Sequence, residues 1–440
     1  MIRIFIEEAN GLRSVGLDGH KYIDRTDLPC SCIQAQRPVM IKIVRSGTGL
    51  QAQGFIENDY KTMTVPANNK PPYLVPSMAD IRSLPLNGFN AISTFSGCGG
   101  SSTGYRMAGF KILWASEFID AARDSYNANK APYTIVDGRD IRNVTATEIL
   151  TAINMKPGEL DLFDGSPPCA SFSTAGKREA GWGKVKKYSD KAQRTDDLFF
   201  EYVRLLRDLQ PKTFVAENVS GLVKGTAKGY FIEIMKALKA CGYRVKCKVL
   251  DAQWLGVPQM RQRTIFVGVR DDLGLDPVHP LPLPYRYTVR DAIPWIIGIN
   301  GSMPTVQAGA GARTSSSWKH GTCIVESETD ISRYAIGAEW DKLKPGGKSE
   351  KYLSLVKPAL DKACNTITQS AGNTSIAGVV HPTEKRKFTI AELKRICAFP
   401  DDFILTGTYA QQWERCGRAV PPVMMFHIAA TIRDQILAKL

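Results

Sequence analysis

The chain has 440 residues, 43% of them hydrophobic, and its 57 Lys and Arg outnumber 43 Asp and Glu for a formal charge of +14. That length can bury a core in each of two or three domains, and that basic balance attracts polyanions, nucleic acid first among them. There is no run of about 18 apolar residues and no signal peptide, so neither a membrane partner nor export is expected. The ten cysteines form no Cys-x-x-Cys array, which fits a reducing cytoplasm; Cys30-Ser31-Cys32 near His20 is a faint metal signal, and no metal site is expected.

Residues 1–88 read as an N-terminal extension with β-like pieces at Ile2–Ile6 and Met40–Val44, ending in Asn69-Lys70-Pro71-Pro72-Tyr73. A hydrophobic strand then runs into Phe95-Ser96-Gly97-Cys98-Gly99-Gly100, with Gly104 following and Ala108-Gly109-Phe110 closing a helix. A strand, a glycine turn and a helix in that order let backbone approach a nucleotide-like ligand. About 20 residues on, Ile112–Ser116 forms a second strand that ends at Glu117, where a carboxylate can accept ribose hydroxyls. A third strand, Tyr133–Val136, precedes Asp140. No Gly-x-x-x-x-Gly-Lys-Ser/Thr occurs, which argues against a phosphate-cradling NTPase site.

Leu160–Phe163 is a short apolar run suited to a buried parallel strand, and Gly165-Ser166-Pro167-Pro168 stops any helix just before Cys169. Thr213–Ala216 ends the same way at Glu217-Asn218. A lone Cys or Glu at a strand end is usually structural; a thiol and a carboxyl at two such ends suggest covalent attack on a polarised ring. Between them, Phe172–Asp196 carries Gly176, Gly181 and Gly183 among Lys177, Arg178, Lys184, Lys186, Lys187, Lys191 and Arg194. Such a run is commonly a solvated face, but directly after a nucleophile it fits a lid over phosphates. Strand and helix alternate to about Arg270, as in a parallel sheet, with helices at Phe199–Leu209 and Phe231–Ala240. Four prolines from Pro277 to Pro284 mark an exit, and periodicity fades over 285–385, where Arg313, Trp318, Lys319, His320, Gln369 and Asn373 offer groove-reading groups.

These motifs, with Gln259-Met260-Arg261-Gln262-Arg263, Phe399-Pro400-Asp401-Asp402-Phe403, and Gly417 before Ala419-Val420-Pro421-Pro422, make residues 90–440 resemble the cytosine-C5 DNA methyltransferase family. The resemblance implies an α/β, Rossmann-like S-adenosylmethionine-dependent sheet at 89–284, a smaller target-recognition domain at 285–385 and a C-terminal return at 386–440. It implies that Cys169 adds to C6 of a cytosine flipped out of double-stranded DNA while Glu217 holds N3 and Arg261 and Arg263 supply positive charge. Phe95, Gly97, Gly99, Gly100, Glu117, Asp140, Pro167, Leu198, Arg418, Ala419 and Val420 would line the cofactor pocket. Lys177, Arg178, Lys186, Lys187, Gln259 and Arg313 would meet DNA. A monomer is expected.

The chain departs from the family at Ala170, where glutamine is common, and at Arg418, where asparagine is usual. A guanidinium beside a sulfonium is repelled, so something anionic should lie near Arg418. Three readings stay open. Arg418 turns away; or it binds a carboxylate on carboxy-S-adenosylmethionine, giving 5-carboxymethylcytosine; or the cofactor site is dead and the chain only binds DNA. An RNA cytosine methyltransferase is a further alternative, which the long 285–385 segment disfavours.

Overall fold

The computed structural model describes residues 3–8, 11–15, 40–46, 49–54, 70–168, 186–188, 191–193, 197–223, 228–296 and 328–440; before residue 70 and over 186–193 only the backbone is described. Two compact units result, Met1–Pro66 and Ala67–Leu440. The first holds strands β1 (Arg3–Glu8), β2 (Gly11–Val15), β3 (Met40–Ser46) and β4 (Gly49–Gly54) in the order β2-β1-β3-β4, with β1 and β3 parallel. Residues 70–88, expected as part of the extension, pack with the second unit. The reason is apolar: Tyr73, Met78 and Ile81 are buried in the same cluster as Phe399 and Trp413 of the second unit.

A seven-stranded sheet forms the second unit. Its strands are β5 (Asn90–Thr94), β6 (Lys111–Ser116), β7 (Ile135–Asp137), β8 (Leu162–Gly165), β11 (Thr213–Val219), β12 (Tyr243–Asp251) and β13 (Gln262–Arg270). They lie in the order β12-β13-β11-β8-β5-β6-β7. The five strands β7, β6, β5, β8 and β11 run parallel, but β13 is antiparallel to both β11 and β12, so the sheet is mixed rather than wholly parallel. The short link between β12 and β13, residues 252–261, has no room for the crossover helix that parallel neighbours require. Two short strands, β9 (Lys186–Tyr188) and β10 (Lys191–Gln193), pair as a separate hairpin inside the segment read as a lid.

Both faces of the sheet are covered. On β8 and β11, Phe163, Phe214 and Ala216 point into one cluster with Phe199 and Tyr202, while Leu162 and Val215 point into another with Tyr105, Met424 and Ile428. Alternate residues of a strand face opposite sides, so a strand buried on both reads as a continuous apolar run. The helix Pro422–Gln435 packs on the helix Gly100–Met107, which returns the end of the chain to the sheet. β5 and β8 are adjacent, yet the chain leaves them toward opposite edges. Their carboxyl ends flank the crevice where open α/β sheets take ligands.

Candidate active site

The turn after β5 places three left-handed residues within five: Phe95 at φ 53°, Gly97 at 56° and Gly99 at 98°. Glycine adopts this freely; Phe95 does so at a cost of about 1–3 kcal/mol, a strain typical of a ligand-binding turn. The turn is held against the end of β6, where Ser96 N donates to Ser116 O at 3.0 Å and Gly97 N donates to Glu117 Oε2 at 2.8 Å. Glu117 Oε1 accepts from Ile119 N at 2.7 Å. Burial pushes the Glu117 pKa up, against those two N–H donors and the charges of Arg415 and Arg418.

Those arginines arrive because Gly100 and Gly104 leave room for the C-terminal segment. A Cβ on Gly100 would collide with the carbonyl of Val420, and one on Gly104 with that of Pro422. Ala419 and Val420 thus border the turn as expected. The anion beside Arg418 is Glu414, one helical turn back on Tyr409–Arg418, with Nη2 2.6 Å and Nε 2.7 Å from its Oε1. Arg415 Nη2 takes the other oxygen at 2.7 Å.

At the ends of β8 and β11, Glu217 is buried and Arg263 Nε lies 2.7 Å from its Oε1. Burial raises the Glu217 pKa, while Arg263, Arg261 and Ser166 hold it back. The same burial lowers that of Arg263, so desolvation opposes both charges of the pair. Next along the chain, Asn218 Nδ2 donates to Pro167 O at 3.1 Å, fixing the turn that leads to Cys169. Asn218 and Ser166 are site residues that sequence reasoning passed over. Asn218 stands beside Glu217 at the strand end and is legible there; Ser166 carries no signal of its own.

Two of the expected site residues are enclosed by the C-terminal segments. Arg261, expected beside Arg263 as a source of charge, is fully buried and ties two segments together, donating to Ile367 O at 3.2 Å and Gly417 O at 2.8 Å. Burial lowers its pKa to about 9. Its charge is felt at Glu217, but the direct contact belongs to Arg263. Gln259, expected at DNA, is wholly buried, and its amide donates to Cys397 Sγ at 3.2 Å and accepts from Ile367 N. An amide so enclosed joins the two segments rather than reading a groove.

Asp140 caps the short turn Ile141–Asn143 and pairs with Arg142 at 2.9 Å, which also holds Asp197 at 2.7 Å. That bridge sets the start of the helix Leu198–Leu209 beside the loop after β7, and Leu198 itself is buried in the core. Gln369 and Asn373 are exposed. Cys169, Ala170, Lys177, Arg178, Arg313, Trp318, Lys319 and His320 lie outside the described residues, as do the side chains of Lys186 and Lys187.

The model of the C-5 cytosine-specific DNA methylase family matches residues 89–434, the whole stretch that carries this geometry. The chain belongs to that family. Similar curated members include the Type II methyltransferase M1.HphI of Haemophilus parahaemolyticus, 32% identical over 78% of this chain and 86% of its own length. Type II methyltransferase M.NgoPII of Neisseria gonorrhoeae is 30% identical over 80% of this chain and 97% of its own. Among solved structures, one described as a prophage-encoded DNA modification methyltransferase (E. coli) superposes with a TM-score of 0.59 at 22% identity, covering 80% of this chain and all of its own. A DNMT2 of Spodoptera frugiperda gives 0.52 at 17%, covering 77% and 98%. At those identities the structural likeness shows the fold. As a C-5 cytosine methylase, the chain has its family core on the seven-stranded sheet, and residues before 89 fall outside the match.

Proposed function

We propose that this methylase transfers a methyl group from S-adenosylmethionine to C5 of a cytosine flipped out of double-stranded DNA, through a transient bond between Cys169 Sγ and C6. The observation that carries the reading is Glu217, a buried carboxyl of raised pKa held by Arg263 at the strand end beside the cofactor turn. A nucleoside cofactor is supported by Glu117 and Asp140, carboxylates that follow β6 and β7, and by the left-handed turn after β5 that lets backbone come close.

Bound there, the sulfonium supplies an electrophilic methyl carbon. The rest is the chain's work. Cys169 as thiolate adds to C6 while Glu217, protonated, donates to N3, so the ring's electrons collect at C5 and take the methyl group. The C5 proton then leaves to a base, the electrons of that bond expel Cys169 from C6, and N3 returns its proton to Glu217. Since C6 is unreachable inside a stacked duplex, the base must be extruded, with the cations of 177–194 on phosphates. The protein acts in the cytoplasm as a monomer.

The pair Arg418–Glu414 supports methyl over carboxymethyl transfer, because the anion that Arg418 requires is already provided by its own helix. The test is mass analysis of nucleosides from duplex DNA incubated with protein and S-adenosylmethionine. Methylcytosine is expected from the wild type and none from Cys169→Ser, while a 5-fluorocytosine target should leave a covalent protein–DNA adduct. Methylation by Cys169→Ser, or of RNA in preference to duplex DNA, would overturn the reading.

A further inference from the structure

One ionisable group in the sheet has no part in the chemistry above. Asp164 sits on the central strand β8, its side chain buried, with Ser93 of β5 and Val215 of β11 as register partners. Ser93 Oγ donates to its Oδ2 at 2.7 Å and Tyr105 Oη to its Oδ1 at 2.9 Å. Ser96 Oγ, in the cofactor turn, donates to Ser93 O at 2.9 Å. Among the described residues no cation pairs with Asp164. A strand buried on both faces is normally filled by an apolar side chain at such a position, because an ionised carboxylate is costly to desolvate.

Its place explains the exception. Side chains of paired residues in a parallel sheet share a face, and two residues further along the same face of β11 stands Glu217, with Ser166 just past the end of β8. Asp164 therefore lies one pleat below the catalytic carboxyl. We propose that Asp164 is a positioning residue for the transfer reaction: its carboxylate ties the base of the cofactor turn to the helix Gly100–Met107, and its charge helps hold on Glu217 the proton that N3 requires. The inference rests on the reading of Glu217 as the acid.

The charged and titratable neighbours are few. Burial pushes the Asp164 pKa up to about 7, against its Ser93 and Tyr105 donors, and the Glu217 charge pushes the same way. Coulomb repulsion is mutual, so an ionised Asp164 discourages ionisation of Glu217. Tyr105, Tyr126 and Tyr202 also feel the Asp164 charge, but burial keeps their pKa values above the ordinary phenol range. Around Glu217 stand Arg263 and Arg261, whose charges oppose the rise of its pKa. Among these neighbours the carboxyls are Asp164 and Glu217, each with its pKa raised by burial.

The test is the pH dependence of single-turnover methylation. Asp164→Asn keeps the geometry, since the two hydroxyls can each turn to donate to or accept from an amide, but removes the charge. The falling limb, where Glu217 loses its proton, should move to lower pH by about one unit, a tenfold loss of rate on its alkaline side, with the dissociation constant for S-adenosylmethionine changed less than threefold. Ser93→Ala, which retains the carboxyl but removes a donor that favours its ionised form, should move the limb the same way by less. An unmoved limb in Asp164→Asn, even with a lower melting temperature, would reduce Asp164 to a structural role; if that variant does not fold, an unmoved limb in Ser93→Ala does the same. Glu217→Gln is run alongside. If it turns over at the wild-type rate, the reading of Glu217 fails; if it is slow while the other limbs stay put, only the inference fails.

Discussion

Arg263 and Glu217 meet on a diagonal across two antiparallel strands: the ladder partner of Arg263 is Val219, yet its Nε reaches back to Glu217 Oε1 at 2.7 Å. Arg263→Ala leaves that carboxyl buried with its direct partner gone. A single preorganised charged donor is worth about 10²–10³ in rate. Single-turnover methylation should fall by that much with cofactor binding within about threefold of wild type, and Arg263→Lys should recover part of it. A rate within tenfold of wild type for Arg263→Ala would remove the pair from the mechanism.

Arg261 should behave differently although it lies two residues away. Its guanidinium donates to Ile367 O and Gly417 O in a site closed to solvent. Arg261→Met fills the space but leaves two buried carbonyls without donors, at about 1–3 kcal/mol each. The expected signature is a lower unfolding free energy in urea, with the rate at low temperature reduced less than in Arg263→Ala. A large rate loss with no change in stability would move Arg261 into the direct chemistry.

Gly100 offers a test of the cofactor turn. The Cβ of Gly100→Ala would lie 2.4 Å from the backbone carbonyl oxygen of Val420, which cannot rotate away, so the turn and the C-terminal segment must move apart. Overpacking of this kind costs about 1–3 kcal/mol. Affinity for S-adenosylmethionine, measured by calorimetry, should drop at least tenfold. Gly229→Ala is the control: nothing lies within 4 Å of its Cβ position, and alanine suits the first turn of Lys228–Ala240. Equal affinities for the two variants would show that the turn does not depend on this contact.

The sequence made the strand ends legible because each is a pattern of composition: an apolar run, then a breaker, then one polar residue. That was enough for Glu117 and the turn at Phe95, which follow β6 and β5 directly, while Glu217 lies two residues inside the end of β11, which runs on to Val219. Two residues apart in one motif, Arg261 and Arg263 could not be told apart, because their division into tie and partner depends on Ile367 and Gly417, over a hundred residues downstream. Gln259 misled for the same reason. Asp164 was invisible: within an apolar strand it reads as an exposed acid until Ser93 and Tyr105 are seen above it. Arg418 called for an anion, and the sequence did hold it, four residues earlier at Glu414, at helical spacing.

Stability should carry the mark of Asp164 as well. Its folded pKa, about 7, lies above the ordinary aspartate value near 3.9 that applies when unfolded. A raised pKa means that the folded state binds the extra proton between those values, so the contribution is full below about pH 4 and is lost as pH rises through 7. Wild type should therefore lose stability relative to Asp164→Asn between pH 5 and 8, measured by urea unfolding of both proteins across that range. A constant difference would mean that Asp164 is ionised throughout.

The Arg418–Glu414 pair makes the last prediction, since the two residues have opposite consequences for a cationic cofactor. Glu414 Oε1 accepts from Arg418 at 2.6 Å and Oε2 from Arg415 at 2.7 Å, so one carboxylate offsets two guanidinium charges near Glu117. Glu414→Gln removes that offset and should raise the KM for S-adenosylmethionine severalfold by charge repulsion. Arg418→Asn should lower it or leave it unchanged, and the double variant should recover most of the loss; a coupling of about 0.5–3 kcal/mol is usual for residues in one network. Product identity is read in the same experiment, with S-adenosylmethionine and its carboxylated analogue in competition. Wild type should give methylcytosine, and Arg418→Asn should not change the ratio of products. Carboxymethylcytosine from the wild type, falling tenfold or more in Arg418→Asn, would instead mean that Arg418 exchanges Glu414 for a carboxylate on the cofactor.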